Sequence, residues 1–217
     1  MSVAEDLAAK LSQQTRIDDP FTGSASPADV EARSLAWPTR AEWSEVTHVG
    51  TLARNGRRLE EYLYVPAAGG QAQPIAIMFV EDAEAPHARL YGQHQWVEDR
   101  GPILPVDPAV KGGDGPDDVL THYFAAIGQS DIETALTLWD EKGYIQHSNG
   151  DTYRGPERLR ADFEKFFKAG PIKLGYCNRM DDGDRCAFEC YMPSGRPAVA
   201  VYDRAGPDKL AAARLYL

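Results

Sequence analysis

Four side chains stand out because their chemistry could serve an acid–base reaction: Asp19, Glu61, Tyr123 and His147. A carboxylate or an imidazole can remove a proton from carbon, and an ordinary imidazole changes its charge close to neutral pH. A tyrosine hydroxyl can donate a hydrogen bond to the oxyanion that such a step creates. Residues of these types could serve acid–base catalysis if the fold brings them to one pocket.

The elements that must position these residues occur twice along the 217-residue chain. The repeated pieces are 55–66 with 182–193, which align without a gap, 74–79 with 197–202, and 88–91 with 213–216. Each copy of this unit spans roughly 100 residues, which predicts two domains and an internal pseudo-dimer. Because the copies are covalently linked, the chain is expected to act as a monomer.

Charge and composition narrow the classes of function. A net charge of −10 disfavours nucleic acid and anionic membranes as partners, since both would repel the protein. The longest clean apolar run, Ile75 to Val80, is too short to span a bilayer, and the acidic N-terminus does not resemble a signal peptide. The three cysteines lack the spacing of a zinc site or a disulfide framework. We therefore expect a cytoplasmic protein without a metal or a cofactor.

Local signals predict helices followed by an antiparallel meander, which is an α+β arrangement. Asn55-Gly56 is a strong hairpin signal, and Ser26-Pro27 is typical of a helix start. The remaining expected elements are a helix at 3–14 in the first copy, and helices at 116–128, 131–139 and 155–168 before four strands in the second. The segment 101–116, rich in Pro, Gly and Asp, is predicted to be the linker.

Two motifs of the second copy resemble the NTF2-like superfamily. They are the stretch from Tyr123 to Asp131-Ile132-Glu133, and Gly155-Pro156-Glu157. Members of the superfamily include ketosteroid isomerases, SnoaL-like polyketide cyclases and epoxide hydrolases. The resemblance implies tandem cone-shaped domains, each a curved, mostly antiparallel sheet wrapped around helices. Residues 117–217 would form a complete domain, and residues 1–100 a domain that lacks the first long helix.

The same resemblance implies roles for individual residues. In the first copy, residues 17–21 are similar to the isomerases' Val-Glu-Asp-Pro-Phe segment, which makes Asp19 the general base. The aligned position in the second copy is His147, and Tyr123 matches the tyrosine that donates to the oxyanion. The second donor of the isomerases falls on Ala198 and Ile75, so that part of a steroid-isomerase site is missing. The expected walls of the pocket are Tyr176, Phe188, Tyr144 and Trp139.

Plain structural roles remain open for the same residues. Asp19 precedes a proline, and Asp-Pro is a common turn starter. Glu61 falls in an apolar row of its strand, where it could share a site with Asp19 or pair with Arg16 or Arg89. His147 could hydrogen-bond to its neighbours in a loop, with Tyr123 an ordinary helix residue.

The sequence therefore predicts a cofactor-independent isomerase, cyclase or dehydratase that acts on a small apolar secondary metabolite. The favoured site is the second copy, with His147 as base and Tyr123 as donor. One alternative is a non-catalytic module that binds a small molecule or a protein. Another is an epoxide hydrolase or epoxide-opening cyclase, which needs paired carboxylates, Asp19 with Glu61 or Glu45.

Overall fold

The two sheets in the described part of the protein have the same strand order. A computed structural model describes residues 2–19, 23–28, 43–81, 84–92 and 117–217. The chain divides into two units. The first unit consists of residues 1–103, 148–150 and 216–217, and the second of residues 104–147 and 151–215.

The first unit begins with a helix and continues into a six-stranded sheet of order β2-β1-β6-β5-β4-β3. Its elements are α1 (Val3–Ser12), β1 (Arg16–Asp19), β2 (Gly23–Ala25), β3 (Trp43–Arg54), β4 (Arg57–Pro66), β5 (Gln73–Val80) and β6 (His87–Gly92). Helix α1 starts at a capping box, in which Ser2 and Glu5 satisfy each other's backbone amides. Its apolar face buries Leu7 and Leu11 against the sheet.

The second unit places two helices ahead of its sheet, whose order is β8-β7-β12-β11-β10-β9. Its elements are α2 (Val119–Ile127), α3 (Ile132–Thr137), β7 (Trp139–Gln146), β8 (Thr152–Arg154), α4 (Pro156–Phe167), β9 (Gly175–Asp181), β10 (Arg185–Tyr191), β11 (Pro197–Arg204) and β12 (Leu210–Tyr216). In each sheet one pair of strands is parallel, β1 with β6 and β7 with β12. The other recorded pairs are antiparallel, which confirms the predicted α+β class.

The predicted hairpin at Asn55-Gly56 is confirmed. Strand β3 ends at Arg54 and β4 begins at Arg57, so two residues make the turn. Asn55 and Gly56 have φ angles of 50° and 67°, as a type I′ turn requires. The corresponding turn of the second unit is longer by one residue, because 182–184 separate β9 from β10.

This extra residue changes which positions of the two copies correspond. Ile77 and Ala200 occupy the same place in the repeat, and they pair with Glu60 and Phe188 respectively. Glu60, rather than Glu61, is therefore the counterpart of Phe188. The gap-free alignment predicted for 55–66 and 182–193 is wrong, since a shift of one residue turns every side chain of a strand to the other face.

Some predicted features cannot be compared with the structure. The linker 101–116 and most of the helix expected after Ser26-Pro27 lie outside the described residues. None of the helices in the described part of the chain has the length and apolar character that crossing a membrane requires.

Candidate functional site

His147 directly follows strand β7 in the second unit. Its backbone amide donates to the carbonyl of Asp151 at 2.9 Å, which closes the short connection to β8. The residue pairs Ile145 with Ala213, and Ile17 with Ala88, occupy equivalent places in the two sheets. The predicted correspondence of His147 with Asp19 therefore agrees with the strand registers.

A buried aspartate on helix α4 contacts the imidazole of His147. Asp162 is 2% exposed, and its Oδ2 lies 2.9 Å from Nε2 of His147. The imidazole ring stacks on Phe166 at 5.2 Å between centroids and an angle of 11°. It also meets Tyr153 edge-on at 5.2 Å. These contacts fix the plane of the ring and the nitrogen that faces the carboxylate.

Asp162 is buried because it lies on the face of helix α4 that packs into the core. Gly155, with a φ of 80°, turns the chain into the helix, and Pro156 stands in its first turn. Leu159, Asp162 and Phe163 are the buried residues of this helix. A buried carboxylate requires hydrogen-bond partners, and the imidazole supplies one. With Asp162 ionised, Nε2–H donates to it and Nδ1 keeps a lone pair that can accept a proton.

Tyr123 on helix α2 is the second polar group of this interior. Its ring is 5% exposed and lies 5.7 Å from Trp139, 5.9 Å from Tyr202 and 6.3 Å from Phe163. Burial raises the pKa of the Tyr123 hydroxyl, and the negative charge of Asp162 raises it further. The hydroxyl therefore stays protonated and can act as a hydrogen-bond donor. The charge of Asp162 therefore acts on the Tyr123 hydroxyl, while its carboxylate contacts His147.

Aromatic side chains form the surroundings of Tyr123. Phe124 contacts Phe188 at 4.8 Å and Tyr176 at 5.5 Å between ring centroids, and the rings of Tyr176 and Phe188 are 5.8 Å apart. Within the described residues, Nε1 of Trp139 is buried and has no hydrogen-bond partner. The structure thus brings Tyr123, Trp139, Tyr176 and Phe188 into one core cluster.

Tyr144 does not join this cluster, although it was expected to line the pocket with the other aromatic residues. Its neighbour Ile145 points into the core, and side chains alternate between the two faces of a strand. The ring of Tyr144 is instead covered by the guanidinium group of Arg154, at 4.3 Å.

The two predicted site residues of the first half lie in the first unit. Asp19 ends β1 and pairs with Gly23, and its side chain lies outside the described part of the structure. Glu61 is 1% exposed, and its Oε1 accepts a hydrogen bond from the hydroxyl of Tyr216 at 2.6 Å. Tyr216 is one of the residues that group with the first unit. Glu61 therefore lies on the opposite face of β4 from Glu60 and Tyr62.

Sequence reasoning missed both Asp162 and Glu60. Asp162 had a detectable signal, because it falls three residues after Leu159 and four before Phe166, on the apolar stripe of its helix. Glu60 had none, because the gap-free alignment assigned its place on the strand to Glu61. For Asp162 the informative feature was therefore an acid on a helix face that is otherwise apolar.

A network of opposite charges ties the start of α2 to the sheet of its unit. Oδ2 of Asp118 lies 3.0 Å from both Arg179 and Arg204, and Asp181 lies 2.6 Å and 2.8 Å from the same two side chains. Burial raises the pKa of Asp181, but hydrogen bonds from Arg204 and Arg179 outweigh this effect and hold it well below its usual range. A cleft of about 540 Å³ opens beside these groups.

The residues that the structure describes include no group of three or more His, Cys, Asp or Glu side chains that could hold a metal ion. The three cysteines are buried, and none of them forms a disulfide bond in the structure. Burial raises the pKa of the Cys190 thiol to about 12, which keeps it protonated and unreactive.

No protein-family model and no curated protein matches this sequence. Solved structures match about half of the chain. A SnoaL-like protein of unknown function from Burkholderia thailandensis is 14% identical, with a TM-score of 0.40 over 44% of this chain and 87% of that one. An NTF2-like protein from Cytophaga hutchinsonii is 16% identical, with a TM-score of 0.36 over 45% and 85%. A putative polyketide cyclase from Sinorhizobium meliloti is 14% identical, with a TM-score of 0.43 over 49% and 99%.

With identities of 14% to 16% and TM-scores of 0.36 to 0.43, these matches carry no argument about the family or the function of this chain. The shared strand order of the two sheets, each with its helices on one face, agrees with the architecture that the sequence motifs imply. The two units thus repeat one α+β architecture, which agrees with the tandem repeat that the sequence predicts.

Proposed function

We propose that the second unit is a cofactor-independent acid–base enzyme of the isomerase, cyclase or dehydratase type. His147 is its base, and Asp162 is the residue that orients the base. The proposed substrate is a small, largely apolar molecule with an acidic carbon next to a carbonyl group, as in polyketide- or steroid-like secondary metabolites.

One observation carries this proposal: Nε2 of His147 lies 2.9 Å from the buried carboxylate of Asp162. A carboxylate in this position selects the tautomer with a free Nδ1 and stabilises the imidazolium that forms when Nδ1 takes a proton. The same pairing is a recognised way to activate histidine as a general base.

The reaction requires two proton transfers and no redox step. Nδ1 of His147 takes a proton from the carbon next to the carbonyl, and the electron pair moves to the carbonyl oxygen. Tyr123 donates a hydrogen bond to this oxygen while it carries negative charge. The imidazolium then returns the proton to the same carbon or to a conjugated one, which restores the carbonyl and regenerates the base.

Proton exchange on a model ketone tests this proposal without knowledge of the natural substrate. We would follow deuterium incorporation at C1 of 2-tetralone in D2O by proton NMR, with and without the full-length protein. His147→Gln should reduce the rate of exchange by about 10² to 10⁴, the usual contribution of a general base. Tyr123→Phe should reduce it by about 10² to 10³, the usual cost of one oxyanion donor.

Two further variants separate the proposed site from its alternatives. His122→Gln is the matched control, because His122 is an exposed histidine of the same unit. Asp19→Asn tests the equivalent position of the first unit. Loss of exchange in the Asp19 variant, with normal exchange in His147→Gln, would move the active site to the first unit. Equal exchange in His147→Gln and the wild type would overturn the proposal.

A non-catalytic small-molecule or protein-interaction module is the second candidate, because the interior of the second unit is closely filled. Tyr123 is surrounded by rings, and the indole nitrogen of Trp139 is sealed from solvent. This function would be favoured if the wild-type protein gave no exchange above the buffer rate.

A further inference from the structure

The first unit contains a polar cavity that is separate from the His147 site. Its volume is about 400 Å³, and it lies between helix α1 and strands β3 and β4. The residues that line it are Ser2, Val3, Asp6, Lys10, His48, Thr51, Glu60 and Tyr62. Residues of both charges and several hydroxyl groups thus converge on one space, and a concave space with convergent polar groups is a candidate binding site for a small molecule.

A buried glutamate, Glu60, forms hydrogen bonds with three side chains around this cavity. Glu60 is 2% exposed, and both of its carboxylate oxygens lie 3.2 Å from Nζ of Lys10. It also accepts hydrogen bonds from Arg58 and from the hydroxyl of Tyr62. Burial raises the pKa of Tyr62, so this hydroxyl remains a donor. Glu60 therefore holds the cationic side chains in place and has its own hydrogen-bonding capacity satisfied.

Two charged groups of the cavity remain open to a ligand. The Lys10 side chain is 31% exposed, and the Asp6 side chain, whose Oδ2 lies 2.8 Å from Lys10, is 45% exposed. These two side chains therefore present one positive and one negative group next to each other at the cavity. A ligand with one negative and one positive group can pair with both of them, whereas a ligand with a single charge can pair with only one.

We infer that this cavity binds a small zwitterion, such as an α-amino acid with an aliphatic side chain. The ligand's carboxylate accepts a hydrogen bond from Lys10, and its ammonium group donates to Asp6. Val3 and the rings of His48 and Tyr62, which meet edge-on at 5.3 Å, contact the aliphatic part.

The site is specific to the first unit and independent of the function proposed for the second. At the position equivalent to Glu60, the second unit has Phe188 in the middle of an aromatic core. The carboxylate that holds Lys10 in place therefore has no counterpart at that position.

Three matched ligands test the requirement for both charges. Isothermal titration calorimetry of the full-length protein would compare L-leucine with N-acetyl-L-leucine, which lacks the positive charge, and L-leucinamide, which lacks the negative charge. We expect L-leucine to bind at least about tenfold more tightly than either derivative, a difference equal to about 1.4 kcal/mol.

Variants of the cavity provide the second part of the test. Asp6→Asn should weaken binding of L-leucine at least about tenfold. It should leave the weaker binding of N-acetyl-L-leucine unchanged, because that ligand has no ammonium group. The matched control is Glu45→Gln, which changes an exposed acid of strand β3 outside the cavity.

Several results would overturn the inference. They are no binding of L-leucine, equal binding of the three ligands, and equal affinities in Asp6→Asn and Glu45→Gln. His147→Gln should bind L-leucine as the wild type does, whatever it does to proton exchange. Loss of L-leucine binding in that variant would place the ligand in the second unit instead.

Discussion

Position 60 of the first unit and position 188 of the second occupy the same place in sheets of the same strand order. Glu60 holds Lys10, Arg58 and the Tyr62 hydroxyl around a cavity. Phe188 packs among Phe124, Tyr176 and Tyr202, with ring centroids 4.8 Å to 6.2 Å away.

The difference shows that equivalent positions of two sheets with the same strand order can hold either a charged side chain with ion pairs or an aromatic side chain packed in an apolar core. In the first unit Glu60 is a buried acid beside a polar cavity. In the second unit rings fill that place, and the buried acid that contacts His147, Asp162, lies on helix α4. Function must therefore be argued for each unit from its own buried polar groups.

Removal of the ring at position 188 should have the largest effect on stability. Phe188 is 2% exposed in the aromatic core, and a Phe→Ala change in a core typically costs about 3–5 kcal/mol because it leaves a cavity. Urea denaturation of Phe188→Ala, followed by near-ultraviolet circular dichroism, would measure this loss. Phe188→Leu should lose less, and equal losses in the two variants would argue against tight packing there.

Neutralisation of the acid at position 60 should have a smaller effect. Glu60→Gln leaves Lys10 and Arg58 without their buried counter-charge, and such a loss typically costs about 1–3 kcal/mol. Glu81→Gln is the control, since Glu81 also pairs with Arg58 but is half exposed, and it should cost less than about 0.5 kcal/mol. Equal losses of stability in the two variants would mean that the burial of Glu60 does not increase its contribution to the free energy of unfolding.

Acid should weaken the second unit through Asp181 and Asp118. Both have folded-state pKa values below their ordinary range, because hydrogen bonds outweigh the opposing effect of burial. Their ionised forms therefore stabilise the folded state above about pH 4, and this contribution is lost as the pH falls towards the folded-state pKa values. Asp181→Asn should lose less stability than the wild type when urea denaturation is compared at about pH 5 and about pH 3. An equal loss would show that Asp181 contributes nothing to acid sensitivity.

The smallest effect concerns the shorter of the two hairpin turns. Asn55 has a φ of 50°, where an ordinary side chain costs about 1–2 kcal/mol. Asn55→Ala should therefore lower the free energy of unfolding by up to about this amount, and Asn55→Gly should be close to neutral. The same urea denaturation would check both variants, and equal effects would argue against a left-handed residue at this turn.

The order of elements could be predicted from local patterns. Asn55-Gly56 predicted the first hairpin, and Gly155-Pro156 predicted the start of helix α4. The internal repeat predicted two sheets of the same strand order. The first two signals act over short distances along the chain, so that one sequence is enough to read them.

The partners of buried polar groups could not be predicted in the same way. His147 and Asp162 are 15 residues apart, and their contact depends on how helix α4 packs against the end of β7. Which residues of β4 and β10 correspond depends on the length of the turn before each strand. Because the turn at 182–184 is one residue longer than that at 55–56, the counterpart of Phe188 is Glu60 and not Glu61. Such pairings follow from tertiary packing and register.

Chemical rescue tests the central claim, that the second unit transfers protons through His147, most directly. His147→Ala leaves a space between Phe166 and Tyr153 that is lined by Asp162. We expect added imidazole to restore exchange of 2-tetralone in this variant, with a rate that saturates as imidazole is increased. The double variant His147→Ala, Asp162→Asn should show no such rescue. Exchange that is unchanged in His147→Ala, or imidazole acceleration that is the same in the double variant, would contradict the account.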